Sequence, residues 1–426
     1  MKIKLILSLI LSFVLVACSD DKDDAVFGYH PDLSNLQPYN SSGPYAGDIV
    51  DCVKANSIKS SCDFLTLPLI SMDGTQPTID QIMDHVVVSH AWMGDRLRSL
   101  LEIMPNDILL MLRSATAIVI DDSIRPSYYS LTTGAIYIDP AYLWLTNDEK
   151  AVISKHADFR SDYGSDLSFK TMKRYVINNQ LAWQNYSLDG TEERTLNDIL
   201  IPTSALFFHE MAHTNDCILP VIQAGPVPGF NYYDNIINAT GGHCLQDDLF
   251  LVSHLHSQIW HNLALVLYHG YWSTADERAL TPTEVGTEFA TDVASEFYSF
   301  SSGWEDFAML VEASLMKKNF NADADIAVVP YFDTFDCATA LVKWGQRGRI
   351  GDPNVLVRAQ MATSLVLPEV DMTTFFGSIP APTQIPVDTS YCLIGFSPAA
   401  NSFSSPENQL STEEVRKHIE NDLSSQ

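Results

Sequence analysis

Basic residues are scarce in this sequence. It has 25 Lys and Arg against 53 Asp and Glu, which gives a formal net charge of -28 over 426 residues. A protein this acidic is repelled by phosphate backbones and by anionic membrane surfaces, so nucleic acid is not an expected partner. The charge deficit carries no information about the fold.

The apolar run near the start, from Leu5 to Ala17, is too short to cross a bilayer. It follows Lys2 and Lys4, and a charged start before a short apolar stretch is typical of an export signal. We therefore expect the protein to leave the cytoplasm.

The end of this run, Leu15-Val16-Ala17-Cys18, resembles the lipobox of bacterial lipoproteins. The resemblance implies that residues 1–17 are a lipoprotein signal peptide, that Cys18 carries a lipid anchor to the membrane, and that Ser19 favours the outer membrane, facing the periplasm or the cell surface. Residues 18–77 are expected to form a solvated acidic tether followed by an irregular segment rich in Pro, Gly and Ser.

The other cysteines are even in number, and disulfides are the default expectation outside the cytoplasm. Proximity along the chain favours three pairs, although free buried thiols remain an alternative. These pairs are Cys52 with Cys62, Cys217 with Cys244, and Cys337 with Cys392.

No Gly-x-Ser-x-Gly motif occurs, and the cysteines are expected to be consumed by disulfides. Hydrolase mechanisms that use a Ser or Cys nucleophile therefore lack support.

Apolar spacing predicts an α+β protein in which helix dominates. Helices are expected over residues 79–113, 167–181, 196–214 and 249–271, and over 284–315 with a break at 301–303. Two neighbouring strands are expected at residues 115–120 and 134–139, which makes a small sheet before the helix at 196–214. Residues 225–229 are expected to be a loop, and residues 368–426 form a Pro/Ser-rich C-terminal segment with a helix-like tail at 412–423.

The helix at 196–214 contains His209-Glu210-Met211-Ala212-His213, an HExxH motif. Residues four apart share a helix face, so His209 and His213 can bind one Zn²⁺ while Glu210 points at the water beside it. The neighbours Phe207 and Phe208 are apolar, as a buried active-site helix requires.

A catalytic zinc takes three protein ligands, so a third must exist elsewhere. The metzincin pattern would place Gly at 216 and His at 219, where this chain has Asp216 and Leu219. The metzincin subclass is therefore excluded, and the third ligand is expected to be a Glu further along the chain.

One candidate is Glu305, in Trp304-Glu305-Asp306-Phe307-Ala308. This segment, with the HExxH motif and the lipobox, resembles the zinc-binding lipoprotein metallopeptidases, a gluzincin type of zincin, and is distantly similar to the anthrax lethal factor type. The resemblance implies that residues 78–367 are a zincin-like metallopeptidase domain, with Glu305 as third ligand. It also implies that Tyr298, seven residues earlier, is an oxyanion donor. The family usually has Glu after Ala308, where this chain has Met309, and this departure concerns a residue that would support the ligands and not the ligand itself.

The rival is Glu288, which with Asp292 matches the Glu-xxx-Asp pattern of thermolysin-like gluzincins. Glu and Asp four apart are also common on a solvated helix face, so Glu305 is favoured.

A second histidine-rich stretch is interpreted as core or interface residues, with a second metal or substrate contacts as the alternative. It comprises His254, His256, His261 and His269, while His243 beside Cys244 is a weaker candidate for the edge of a cleft.

The sequence thus predicts a zinc-dependent metallopeptidase outside the cytoplasm that acts on peptide or protein substrates. His209, His213 and Glu305 would hold Zn²⁺, with Glu210 as general base and Tyr298 as oxyanion donor. The alternatives are a binding or scaffolding lipoprotein that keeps the metal without turnover, and a zinc hydrolase acting on another bond.

Overall fold

The computed structural model describes residues 31–218 and 227–395. The expected signal peptide, Cys18 and its neighbours, part of the loop predicted at 225–229, and the tail from residue 396 lie outside the described residues.

Helices and strands both occur along the chain, as an α+β protein requires, and the sheets are small. The strands are β1 (Gln37–Pro38), β2 (Val86–Val88), β3 (Ile118–Ile120), β4 (Tyr128–Ser130), β5 (Ala135–Ile138), β6 (Phe169–Ile177), β7 (Gln180–Leu181), β8 (Asp323–Pro330), β9 (Trp344–Arg347) and β10 (Thr383–Gln384). The helices are α1 (Ile49–Val53), α2 (Ile79–Asp84), α3 (Ala91–Leu101), α4 (Asn106–Met111), α5 (Asn147–Ala151), α6 (Leu196–Cys217), α7 (Tyr232–Thr240), α8 (Leu245–Val252), α9 (Gln258–His269), α10 (Ala275–Ala279), α11 (Pro282–Ala290), α12 (Gly303–Phe320), α13 (Pro353–Val366) and α14 (Thr373–Ser378).

The first sheet has the strand order β1-β2-β3-β5-β4 and precedes α6 in the chain. Strands β2, β3 and β5 are parallel, whereas the edge strands β1 and β4 run antiparallel to their neighbours. The three central strands are buried throughout, because one face packs on the main core and the other is covered by the segment that contains α1. Burial on both faces explains why these strands are continuously apolar rather than alternating.

The turn into β5 depends on Gly134, which has φ of 70°. A Cβ atom there would lie 2.5 Å from the ring of Tyr232 in α7, so a larger residue would meet both backbone strain and a clash. The turn therefore brings the first sheet directly against α7.

The second sheet has the order β10-β9-β8-β6-β7, and all of its pairs are antiparallel. Its longest pairing joins β6 to β8, from Phe169 opposite Pro330 to Val176 opposite Asp323. The sequence analysis expected only the first sheet, so the second was missed.

The prediction of a helix over residues 167–181 was wrong, because these residues form β6 and β7. The segment contains Thr171, Tyr175, Val176 and Ile177, residue types that favour strands, and its apolar spacing is irregular enough to be read either way. The segment forms a strand because it pairs with β8, which is remote in sequence.

Most of the other predicted elements are confirmed, with finer breaks. Residues 79–113 contain α2, α3 and α4 but also the short strand β2, and the predicted strands at 115–120 and 134–139 are β3 and β5. The apolar stretch 249–271 spans parts of two helices, α8 and α9, and residues 291–302 separate α11 from α12.

Three disulfides join the pairs that sequence proximity favoured, Cys52–Cys62, Cys217–Cys244 and Cys337–Cys392. Cys217 is the last residue of α6, and Cys244 precedes α8. This disulfide therefore links the C-terminal end of the HExxH helix to the residue just before α8. No helix in residues 31–218 or 227–395 combines the length and the apolar character that a membrane span needs.

Candidate metal centre

The HExxH motif lies in the second half of α6, a 22-residue helix. Thr195 caps its start, accepting a hydrogen bond from the Asp198 backbone N–H, and Asp198 bonds back to Thr195. The apolar face of the helix, including Phe207, Phe208 and Met211, is fully buried in the main core. This packing holds the histidines on the side that faces α12.

Glu305 lies in the first turn of α12, which packs along α6. Ser302 caps this helix by accepting a hydrogen bond from the Glu305 backbone N–H at 3.2 Å. The next residue, Asp306, forms a buried ion pair with Arg358 of α13. The cap and the ion pair together fix the start of α12 and hence the position of Glu305.

The structure brings His209, His213 and Glu305 together. The two Nε2 atoms are 3.2 Å apart, and Glu305 Oε2 lies 3.2 Å from His209 Nε2 and 3.5 Å from His213 Nε2. Within the described residues, no other group of three or more His, Cys, Asp or Glu side chains is arranged to hold a metal ion.

The triangle has the dimensions of a zinc site. Bonds of about 2.0–2.1 Å in a tetrahedral site place neighbouring ligand atoms about 3.3 Å apart. Glu305 Oε2 is also buried and accepts no hydrogen bond, although buried carboxylate oxygens normally do. A cation bound by all three side chains would satisfy this oxygen, so the residues fit a metal.

Electrostatics also favours positive charge at this point. Burial lowers the pKa of His209, but Glu305 and Glu312 outweigh burial and hold this pKa well above its usual value. Burial raises the pKa of Glu305, but His213 and His209 outweigh it and hold this pKa well below the ordinary value. Glu305 is therefore ionised, as a metal ligand must be.

Glu210 lies next to His209 on the same helix and is almost fully buried. Burial raises the pKa of its carboxyl, while the two imidazoles act in the opposite direction. A carboxylate with a raised pKa is a better proton acceptor near neutral pH than an exposed one.

Tyr298 lies in the 3-10 turn Phe297–Phe300, just before α12. Its hydroxyl donates a hydrogen bond to Glu305 Oε1 at 3.3 Å, and its ring lies 6.4 Å from that of His209. Burial and the charge of Glu305 hold the pKa of Tyr298 well above its usual value. The hydroxyl therefore keeps its proton and can donate it in a hydrogen bond.

The rival ligand Glu288 does not belong to the metal-ligating group. Glu288 Oε1 accepts a hydrogen bond from the Ser257 hydroxyl at 2.7 Å. Asp292 Oδ2 accepts hydrogen bonds from the backbone N–H groups of His256 and Ser257. The Glu-xxx-Asp pattern thus anchors the loop before α9.

The second histidine-rich stretch makes separate contacts. His254 and His256 are exposed and lie outside the helices, His261 packs edge-on against Phe300, and His269 lies 3.0 Å from the Ser301 hydroxyl. His243 Nε2 lies 3.0 Å from Asp248 Oδ1. His254 and His256 are therefore not core residues, and for these two the predicted role as interface residues stays a prediction.

Three contributors were missed by the sequence analysis. Lys173 and Tyr175 contact Glu312 from β6, and Glu312 lies 3.3 Å from His209 Nδ1. A signal for Glu312 existed in the sequence, because it follows Glu305 by seven residues and so shares its helix face. The strand residues gave no such signal, because their segment was predicted to be helical.

Arg160 adds a cation near the site from the loop between α5 and β6. Asp158 binds its guanidinium at 2.6 Å. Burial raises the pKa values of Glu210 and Tyr298, and the charge of Arg160 opposes this increase in both. Arg160 is therefore close enough to influence chemistry at the site, and nothing in the sequence around it indicated this.

No protein-family model matches the chain, and no curated protein or solved structure matches it either. The residues of the site are therefore the basis for a functional proposal.

Proposed function

We propose that the protein is a zinc-dependent metallopeptidase with a zincin-like fold. The observation that carries this proposal is the triangle of His209, His213 and Glu305, which has the spacing of a zinc site and sits beside a buried glutamate. The fold assignment is supported by a small sheet that precedes the HExxH helix and by a third ligand on a later helix packed against it.

His209, His213 and Glu305 would hold the zinc ion. Zinc would supply a Lewis acid that lowers the pKa of water to about 7. Glu210 would take a proton from the attacking water and pass it to the leaving amine. Its burial next to the histidines suits both steps, because burial raises the pKa of this carboxyl and makes it a better proton acceptor.

Tyr298 would donate a hydrogen bond to the oxygen of the scissile carbonyl as negative charge develops on it. Its present acceptor, Glu305 Oε1, is a ligand residue, so the hydroxyl lies beside the reacting centre. Arg160 would add positive charge that acts on both Tyr298 and Glu210. The proposed substrates are peptides or proteins.

The proposed location is the outer membrane, facing the periplasm or the cell surface, with a lipid anchor at Cys18. This part of the proposal rests on the lipobox in the sequence, since residues 1–30 lie outside the described part of the chain.

The decisive experiment replaces Glu210 by Gln in the full chain. Loss of the general base is expected to lower cleavage of a mixed peptide library by about 10²–10⁴-fold while zinc content stays at one equivalent. Glu288→Gln is the matched control and is expected to keep both zinc and cleavage, whereas His209→Ala is expected to lose both.

The alternative of a non-catalytic binding lipoprotein predicts another pattern. If wild type and Glu210→Gln bind zinc equally and neither cleaves any peptide above background, the peptidase proposal is wrong. If purified wild type takes up no zinc at all, the metal centre itself is refuted.

A further inference from the structure

Both nitrogens of the His209 ring face carboxylates of one helix. Nε2 lies 3.2 Å from Glu305 Oε2, and Nδ1 lies 3.3 Å from Glu312 Oε2. The two glutamates are seven residues apart on α12, two turns along the same face. The imidazole is therefore enclosed along one side by α12.

The Nδ1 atom is buried and has no hydrogen-bond partner within the described residues, and Glu312 Oε2 lies beside it at 3.3 Å. A neutral imidazole carries its single proton on one nitrogen and offers a lone pair on the other. If Nδ1 holds the proton, Nε2 is free to bind a metal. The carboxylate beside Nδ1 favours that tautomer.

Glu312 is itself held from the second sheet. Its Oε1 accepts hydrogen bonds from Lys173 Nζ at 3.0 Å and from the Tyr175 hydroxyl at 2.8 Å. Lys173 and Tyr175 are two residues apart and so lie on the same face of β6. These bonds occupy one carboxylate oxygen and leave the other to face His209.

Met309 stands where the resembling family has a glutamate, one turn after Glu305. Its Sδ lies 3.5 Å from Lys173 Nζ, the same ammonium group that binds Glu312. A thioether sulfur is a much weaker acceptor of a hydrogen bond from an imidazole N–H group than a carboxylate is. The carboxylate in contact with His209 therefore comes from the following turn of α12.

We propose that Glu312 is the positioning residue of the metal centre and that Lys173 and Tyr175 of β6 hold it in place. Glu312 accepts a hydrogen bond from the Nδ1–H group of His209, which fixes the tautomer and the ring orientation and makes Nε2 a stronger ligand. This inference rests on the proposed zinc site. It connects that site to a sheet whose residues lie outside the HExxH and Glu-Asp-Phe-Ala segments.

The test measures zinc affinity of the purified full chain by competition with a chromogenic chelator, without any peptide. Removal of such a supporting carboxylate costs about 10–100-fold in metal affinity, and we expect this loss for Glu312→Ala. Glu312→Gln keeps the shape and a neutral acceptor, so it is expected to lose less. Glu149→Ala, which removes a half-buried partner of Arg96 outside the site, is the control and should bind zinc as wild type does.

A second readout separates positioning from general stability. In the zinc-loaded wild type, nitrogen NMR of histidine is expected to detect the His209 proton on Nδ1, and Glu312→Ala should lose this hydrogen-bonded signal. Unchanged zinc affinity in both Glu312 variants would overturn the proposal, and Glu312→Gln serves for this purpose even if the Ala variant does not fold.

The two proposals fail in different ways. Weaker zinc binding in the Glu312 variants of a chain that cleaves nothing would support positioning and refute hydrolysis. If those variants keep wild-type zinc affinity and Glu210→Gln loses cleavage, hydrolysis is supported and positioning by Glu312 is refuted. A wild type that binds no zinc would refute both.

Discussion

At the scale of single residues, Tyr298 lies beside the candidate metal centre and contacts the carboxylate of Glu305. Its hydroxyl contacts Glu305 Oε1, and its ring packs edge-on against Tyr268 at 4.8 Å between centroids. Because burial and Glu305 keep the hydroxyl protonated, it is a fixed donor. Such donors act mainly on the charge that develops during the reaction.

We therefore expect Tyr298→Phe to lower kcat by about 10²–10³-fold with little change in zinc content. Steady-state kinetics on a peptide cleaved by the wild type would measure this. Tyr268→Phe removes a neighbouring hydroxyl on α9 and is expected to keep kcat within about threefold. A kcat that falls equally in both variants would mean that packing, and not the oxyanion contact, is responsible.

The residues of the site differ in how clearly the sequence alone indicated their roles. The HExxH spacing indicated His209, His213 and Glu210, because one helical turn is enough to bring them together. Glu305 and Tyr298 could be nominated only through a family resemblance. Arg160 and Lys173 carried no local pattern, because the contacts that matter join segments far apart in the chain.

At the scale of elements, α12 does more than supply one ligand. Glu305 and Glu312 meet the two nitrogens of His209, and Asp306 anchors the helix to Arg358 of α13. The strand β6 then supports α12 through Lys173 and Tyr175. Residues 167–181, which were predicted to form a helix, therefore supply two side chains that contact Glu312.

The first sheet contains a separate element-scale feature, the buried His85 between α2 and β2. Its Nδ1 lies 2.6 Å from the Thr116 carbonyl oxygen, so this nitrogen carries the proton and donates. Burial lowers the pKa of His85 to about 4. The ring is therefore neutral in the folded protein and titrates near 6.5 when the chain unfolds.

The pH dependence follows from this difference. Between about pH 6.5 and pH 4 the unfolded chain binds a proton that the folded protein does not, so stability is lost as pH falls through this window. The contribution of His85 is expected to fall by about 2 kcal/mol from pH 7 to pH 5. Urea unfolding at both pH values would measure it.

The variant His85→Gln removes this titration and keeps a neutral side chain that can donate a hydrogen bond. Its free energy of unfolding should therefore decline less steeply between the two pH values than that of the wild type. His254→Gln replaces an exposed imidazole and is expected to keep the wild-type slope. Equal slopes in His85→Gln and wild type would contradict the assignment.

At the scale of the whole molecule, the candidate metal centre would join α6 to α12, which residues 218–302 separate along the chain. An ion held by both helices binds the folded chain and not the unfolded one. Free zinc at about 100 times its Kd is expected to raise the free energy of unfolding by about 2.7 kcal/mol.

Thermal unfolding with and without zinc would show this as a higher Tm that a chelator reverses. His209→Ala lacks one ligand and should show no zinc-dependent shift at the same concentration. An equal shift in the variant would indicate binding elsewhere, for example at the acidic surface of a chain with net charge -28.

The sequence by itself determined the HExxH helix, the neighbouring strands β3 and β5 and the plausible disulfide pairs, because each depends on spacing within a short stretch of chain. Tertiary structure decided which downstream glutamate lies beside the histidines, that residues 167–181 contain the two strands β6 and β7, and that Glu312 lies 3.3 Å from His209 Nδ1. These outcomes depend on pairing and packing between remote segments, and local propensity contains no information about such contacts.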